Sequence, residues 1–129
     1  MDEYSELMRS IGMYRLTEDH EVVLMEPPYD FTVWTEEHRR VGKTRVGTLD
    51  ISTVFIPIDM SYGRGGPPIV FETMVFNTTG EEDVYGLDLY MERCSTWDQA
   101  VAQHERICHY AAIKQGIQEG VPNGPDSHR

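Results

Sequence analysis

The clearest polarity pattern lies in the middle of the chain. Arg45 to Ile58 is rich in Thr, Val and Ile and reads as one long strand. A glycine- and proline-rich loop follows from Met60 to Pro68 and leads into a second apolar strand, Ile69–Phe76. After a turn over Asn77–Asp83, a third strand is predicted over Tyr85–Arg93. There Tyr85, Leu87, Leu89 and Met91 fall on one face, and Gly86, Asp88, Tyr90 and Glu92 on the other. The period then changes. Trp97, Val101, His104, Cys108 and Ala111/Ala112 recur at three- and four-residue steps, with Ala100 and Ile107 alongside. This predicts an amphipathic helix capped by Ser95 or Thr96, with Thr96 and Gln99 forming a capping box and Gly116 or Gly120 closing it.

Upstream, Met13–Leu16 and Val22–Met25 suit edge strands, and Pro27-Pro28 ends the second because proline cannot donate to a ladder. Asp30–Val41 suits a short helix, with Thr35 capping a segment whose acids come first and bases last. Together these elements predict an α+β domain, an antiparallel β-sheet with the C-terminal helix packed on one face. It spans residues 1–120 as a single unit and is followed by a flexible polar tail, 121–129.

A hairpin between the last two strands that set odd residues beside odd would line one face with Ile69, Phe71, Val75, Leu87, Leu89 and Met91. Glu72 would then join Asp88 and Tyr90 on the opposite face, in company with Val70, Met74 and Phe76. A face of that composition is expected to be covered, either in a symmetric oligomer with pockets near the subunit boundaries or by another partner. Arg93 would continue the apolar face to the helix N-terminus, where a guanidinium and free N–H groups together suit a phosphate. The alternative is an ion pair with Glu92, Asp98 or Glu72.

Composition narrows the functional classes. The 129-residue chain has a formal net charge of −11, which argues against non-specific nucleic-acid binding and adhesion to anionic membranes. Two cysteines without CxxC spacing suggest neither a disulfide framework nor a zinc site, so a reducing cytoplasm is expected. No apolar run approaches a membrane span and no secretory leader opens the chain.

Ser52, Thr53, His104, His109 and the cysteines are of types used in nucleophilic catalysis, but no family signature surrounds them. His104 lies on the helix stripe and reads first as a core or interface residue. A metal reading would gather Asp59, Glu72, His104 and Cys108, which no spacing ties together. Gly63-Arg64-Gly65-Gly66 is only loosely like a phosphate-cradling loop, lacking Gly-Lys-Ser/Thr and a following helix. Its backbone beside Arg64 could still hold an anion. Arg39, Arg40, Lys43 and Arg45 concentrate positive charge in an acidic chain. Trp34 is either core or a stacking platform for a base.

The words "STVF", "GPPIVFETMVF" and "STWDQA", in that order between about Trp34 and Ala111, resemble a family of small proteins widespread in bacteriophages and prophages. Ile56-Pro57-Ile58-Asp59-Met60 stands where that family has Leu-Gly-Leu-Asp-His, and Cys94 stands where it has a tyrosine. Residues 1–30 lie outside the resemblance. Through Arg93 and Thr96, Phe71 and Trp34 the chain also resembles the Thoeris anti-defence sponge proteins. That resemblance implies an oligomeric, non-enzymatic phage protein, without cofactor, that sequesters a cyclic ADP-ribose-type immune signal in the infected host cytoplasm. In such a site Arg93 with Arg40 or Arg64 would hold phosphates, Trp34 and Phe71 would flank the adenine, and Thr96 and Asn77 would supply polar contacts. The alternative is a phage accessory protein that acts by contact with a host or phage protein through the Val70, Met74 and Phe76 face.

Overall fold

The computed structural model describes Glu3, residues 12–26 and residues 36–117. Two short strands, β1 (Tyr14–Leu16) and β2 (Val22–Leu24), form an antiparallel hairpin. A single helical turn, α1 (Glu36–Arg39), leads into a four-stranded sheet of β3 (Arg40–Val46), β4 (Leu49–Phe55), β5 (Phe71–Asn77) and β6 (Met91–Cys94). The strands are antiparallel in the order β3-β4-β5-β6. The C-terminal helix α2 (Trp97–Gln115) packs across one face, so the α+β expectation holds. Among the described residues no helix is long and apolar enough to cross a membrane.

The helix ends where local chemistry says it should. The Thr96 hydroxyl accepts from the Gln99 amide, the Gln99 side chain accepts from the Thr96 amide, and Gly116 closes the last turn at φ 73°. Its buried residues are Ala100, Gln103, His104, Ile107 and Ala111. The stripe is thus centred on the residues flanking the expected one, a rotation of about one position.

Three sequence expectations change in the sheet. The segment 45–58 is not one strand: Gly47 and Thr48 form a two-residue hairpin turn between β3 and β4, with Gly47 at φ 63°. Glycine reaches that conformation without strain, and a Cβ there would also meet the Gln115 side chain. Gln115 holds the turn from the helix, accepting from the Thr48 amide at 3.0 Å and donating to the Val46 carbonyl at 2.8 Å. Arg40 and Val41 also belong to β3 rather than to a helix.

The third predicted strand shrinks to Met91–Cys94. Residues 85–90 are turns, held by the Asp83 carboxylate, which accepts from the Leu87 and Asp88 amides. Leu87 still reaches the core, but Leu89, at φ 67°, is 62% exposed. The loop also resets the register. Phe71 pairs with Cys94, Glu72 with Arg93, Thr73 with Glu92 and Met74 with Met91, so odd stands beside even. Glu72 therefore lies on the face away from α2 as expected, but Arg93 and Met91 lie there with it. Val70 precedes β5 and is buried, so it is not part of that outer face.

Beneath α2 the core has two apolar clusters. Val46, Leu49, Ile51, Val75, Leu87, Ile107 and Ala111 form one, and Phe55, Val70, Phe71 and Ala100 the other. A buried polar layer includes Thr53, Thr73, Gln103 and His104, with Thr44 at its edge. The Gln103 amide nitrogen donates to the Thr73 hydroxyl at 2.9 Å, and Thr73 and Thr53 share a bond of 2.6 Å. Thr53 meets His104 Nδ1 at 2.7 Å, and His104 Nε2 meets Thr44 at 2.9 Å. An amide nitrogen can only donate. The Thr73, Thr53 and His104 groups and Thr44 then form one continuous chain of bonds, with one ring nitrogen of a neutral imidazole donating and the other accepting. Burial favours that neutral form and pushes the His104 pKa below the ordinary 6.5.

Gly42 lies under the ring, and a Cβ there would stand 3.0 Å from Nε2. Gly42→Ala must displace a ring bonded at both nitrogens. It should cost on the order of 1–3 kcal/mol, read as a lower urea midpoint with unchanged m. The lowered pKa of His104 also fixes a sign. The unfolded chain takes up the proton first, so stability is full above about pH 6.5 and falls as pH drops below it towards the folded-state pKa. A thermal melt series from pH 8 to 5 should show this decline, and His104→Gln should flatten the part of it that begins as pH falls below 6.5.

Candidate functional site

Of the seven candidate ligand residues, the six within the described residues do not gather at one site. Trp34 lies outside the described residues. Phe71 is 0% exposed and packs edge-on against Phe55 and Trp97, at ring-centroid distances of 5.5 and 6.3 Å. It is core and has no surface to offer an adenine. Arg93 Nε donates to Glu72 Oε2 at 3.0 Å across the β5–β6 pair, the ion-pair alternative, and the side chain is on the outer face rather than beside the N-terminus of α2.

Asn77 lies at the other end of β5, about 17 Å along the strand from Glu72. It organises a turn, donating to the Glu81 carbonyl and accepting from the amide and hydroxyl of Thr79. The nearby cleft of about 290 Å³ is lined also by Glu81, Glu82 and Asp83, surroundings that repel an anion.

Arg64 sits in the exposed loop between β4 and β5, where its Nε donates to the Ser61 carbonyl at 3.1 Å. The neck of that loop is fixed. Asp59 Oδ1 accepts from the Ser61 amide at 2.9 Å and the Ile69 amide at 3.0 Å, and the Met60 amide donates to the Ile69 carbonyl. Burial pushes the Asp59 pKa up, but these hydrogen bonds outweigh it and hold the carboxyl below its ordinary range. Gly63, Gly65 and Gly66 have positive φ, and a Cβ on any of them would meet nothing within 4 Å. They serve the backbone path rather than close packing.

Arg40 and Thr96 do come near a common feature, Trp97. This indole opens α2 and is stacked on His20 from the β1–β2 turn, at a centroid distance of 3.7 Å and an interplanar angle of 9°. Two clefts meet there. One, of about 280 Å³, has Leu16, Phe55 and Trp97 as its apolar lining, with Thr17, Glu18, His20, His38 and Arg40 supplying polar groups. The other, of about 600 Å³, lies between the β1–β2 turn, Pro67-Pro68 and Ser95, Thr96, Trp97 and Asp98. Its carboxylates, Asp19, Glu21 and Asp98, make it the less suitable for an anion.

His20, His38 and Trp97 were not among the expected site residues. Trp97 reads as part of the helix stripe, and only the docking of the β1–β2 hairpin brings His20 onto it. That hairpin is attached by the Tyr14 amide to the Pro57 carbonyl and by pairing of Met13 with Ile58. Trp97 stands in the chain at the end of the "STW" word, so the signal was present without its partner.

Among the nucleophile candidates, His104 is enclosed in the threonine layer. Burial first, and Glu92 second, push the Cys94 thiol up to about 11. Among the described residues no cluster of three or more His, Cys, Asp or Glu side chains is arranged for a metal ion. No family model, curated protein or solved structure matches the chain.

At pH 8 a thiol with that pKa holds about a hundredfold less thiolate than an ordinary one near 9. Iodoacetamide should therefore modify Cys94 slowly in the native protein and rapidly in urea, as followed by peptide mass mapping. Fast native labelling would contradict the placement of this side chain.

Proposed function

We propose that the chain is a non-enzymatic phage binding protein that captures a small phosphorylated planar ligand, of the cyclic ADP-ribose signal class, in the cleft beside Trp97. The observation that carries this reading is the lining of that cleft. Leu16 and Trp97 offer apolar surface over the buried Phe55, while Arg40, His38 and His20 bring donor groups to its polar side. A cavity that joins apolar surface to convergent polar groups suits a small molecule, and arginine suits phosphate.

In this reading the phosphate contact falls to Arg40, which lines the cleft, and not to Arg93, which lies on the outer face of the sheet. The histidines are the second source of donors, and Glu18 selects against ligands with negative charge on that side. The ligand class is suggested by the resemblance to the sponge proteins through Arg93 and Thr96, Phe71 and Trp34. Capture without conversion needs tight contacts and no positioned nucleophile.

The test is retention. The full chain is incubated with a panel of cyclic nucleotides and cyclic ADP-ribose isomers, separated from free ligand, heat-denatured, and the released material analysed. Intact ligand recovered only after denaturation is expected, with quenching of Trp97 fluorescence on binding. Arg40→Ala should weaken retention by roughly tenfold to a hundredfold, the range of a lost charge-assisted contact, while Arg93→Ala should leave it unchanged. Recovery of altered ligand, or no retention across the panel, would overturn the proposal.

A further inference from the structure

The stack on Trp97 begins with the β1–β2 turn. The Thr17 carbonyl accepts from the His20 amide and the Glu21 carbonyl from the Thr17 amide, each at 2.9 Å, which makes Glu18, Asp19 and His20 a three-residue hairpin loop. The last position of such a loop is left-handed, and His20 has φ 64°. Glycine takes that conformation without strain, so the backbone gains nothing from a histidine here. What the residue does supply is a ring. Its imidazole lies flat on the Trp97 indole, at 3.7 Å and 9°, while the residue as a whole is exposed. The two clefts that meet at this stack differ in polarity. Arg40 and His38 line the smaller, against one carboxylate, Glu18. Asp19, Glu21 and Asp98 line the larger, and among the described residues no lysine or arginine does.

We infer that the His20–Trp97 stack is a platform for an amino-bearing nucleobase such as adenine, held in the larger cleft with its phosphate turned to Arg40 in the smaller. This placement rests on the capture of a phosphorylated planar ligand proposed above, and adds the ligand's orientation and the choice of base. The indole holds the imidazole in position before the base arrives, so little side-chain freedom is lost on binding. The base joins the stack by its face, which every base offers. Its edge makes the selection. An ionised carboxylate only accepts, so Asp19, Glu21 and Asp98 suit the amino donor of adenine and repel the carbonyl oxygen that hypoxanthine carries in its place. The same three charges keep the phosphate out of the larger cleft, and Arg40 lines the neighbouring one.

The probes are cyclic ADP-ribose, its hypoxanthine counterpart and ribose 5-phosphate, measured by equilibrium dialysis against the full chain. Cyclic ADP-ribose is expected to bind at least roughly tenfold tighter than the hypoxanthine form, and ribose 5-phosphate most weakly. Glycine suits the turn, so His20→Gly should keep the circular dichroism spectrum while affinity for cyclic ADP-ribose falls roughly tenfold or more. His20→Phe restores a stacking ring and should recover most of that loss. Ribose 5-phosphate, which has no base, should bind the wild-type chain and His20→Gly alike. Asp19→Asn combined with Glu21→Gln should narrow the gap between the two bases, because an amide can donate to the hypoxanthine carbonyl.

Equal binding of the two bases would overturn the inference, as would a His20→Gly chain that holds cyclic ADP-ribose as tightly as the wild type. Either result leaves capture by the wild type standing. No binding of cyclic ADP-ribose by the wild type would overturn the inference whatever else the nucleotide panel retains, and no retention across the panel would remove the capture reading as well.

Discussion

His104 stands over Gly42 with both ring nitrogens bonded, one to Thr53 on β4 and one to Thr44 on β3. The next helix residue, Gln103, reaches Thr73 on β5 and the Glu92 carbonyl on β6. Two adjacent helix residues therefore touch all four strands. Apolar contacts alone would let a helix slide or roll by a fraction of a turn at little cost. A buried imidazole that loses a partner costs about 1–3 kcal/mol per unsatisfied group, so this layer gives α2 one height and one rotation. The threonines separate the two apolar clusters as a consequence, and the side facing α2 is occupied from end to end.

The position of the cleft follows from that docking. With His104 fixed, α2 begins two turns earlier, and Trp97 is placed over Phe71 at the edge of the second cluster. His20 then covers one face of the indole, while Arg40 and His38 reach the cleft from β3 and α1. The ligand-binding chemistry proposed for this protein thus sits where three separate pieces of chain meet, and its shape depends on contacts far from it.

The helix and both its caps were legible in the sequence because Thr96, Gln99 and Gly116 act within a few residues of one another. The existence of strands around residues 51–55 and 71–76 was legible for the same local reason. Register was not. The run from Tyr85 to Met91 alternates in sequence, but Asp83 draws its amides into turns, and alternation carries no information about where a loop will release the chain. That one displacement moved Arg93 from the helix side to the outer face and gave it Glu72 as a partner. Phe71 was read correctly as strand and as core-facing, yet its burial, set by Trp97 and Phe55, removes it from any site. The His20–Trp97 stack joins residues far apart in the chain and left no periodic trace.

A single backbone irregularity connects the core constraint to the surface chemistry. Between Arg40 and Gly42 the β3–β4 register shifts, so Val41 has no partner while Arg40 faces Val54 and Gly42 faces Thr53. A bulge of this kind bends the strand and redirects the side chains before it. Gly42 arrives beneath His104, the one place where the ring needs an absent side chain. Arg40, whose partner Val54 belongs to the outer face, instead lines a cleft with Phe55 and Trp97 from the helix side. Regular pairing would have set Arg40 on the helix side with Gly42, Thr44 and Val46, opposite Phe55. The extra residue instead turns Val41, beside Gly42, onto the second apolar cluster and leaves Arg40 at the edge of the sheet opposite Val54, from where its side chain lines the cleft.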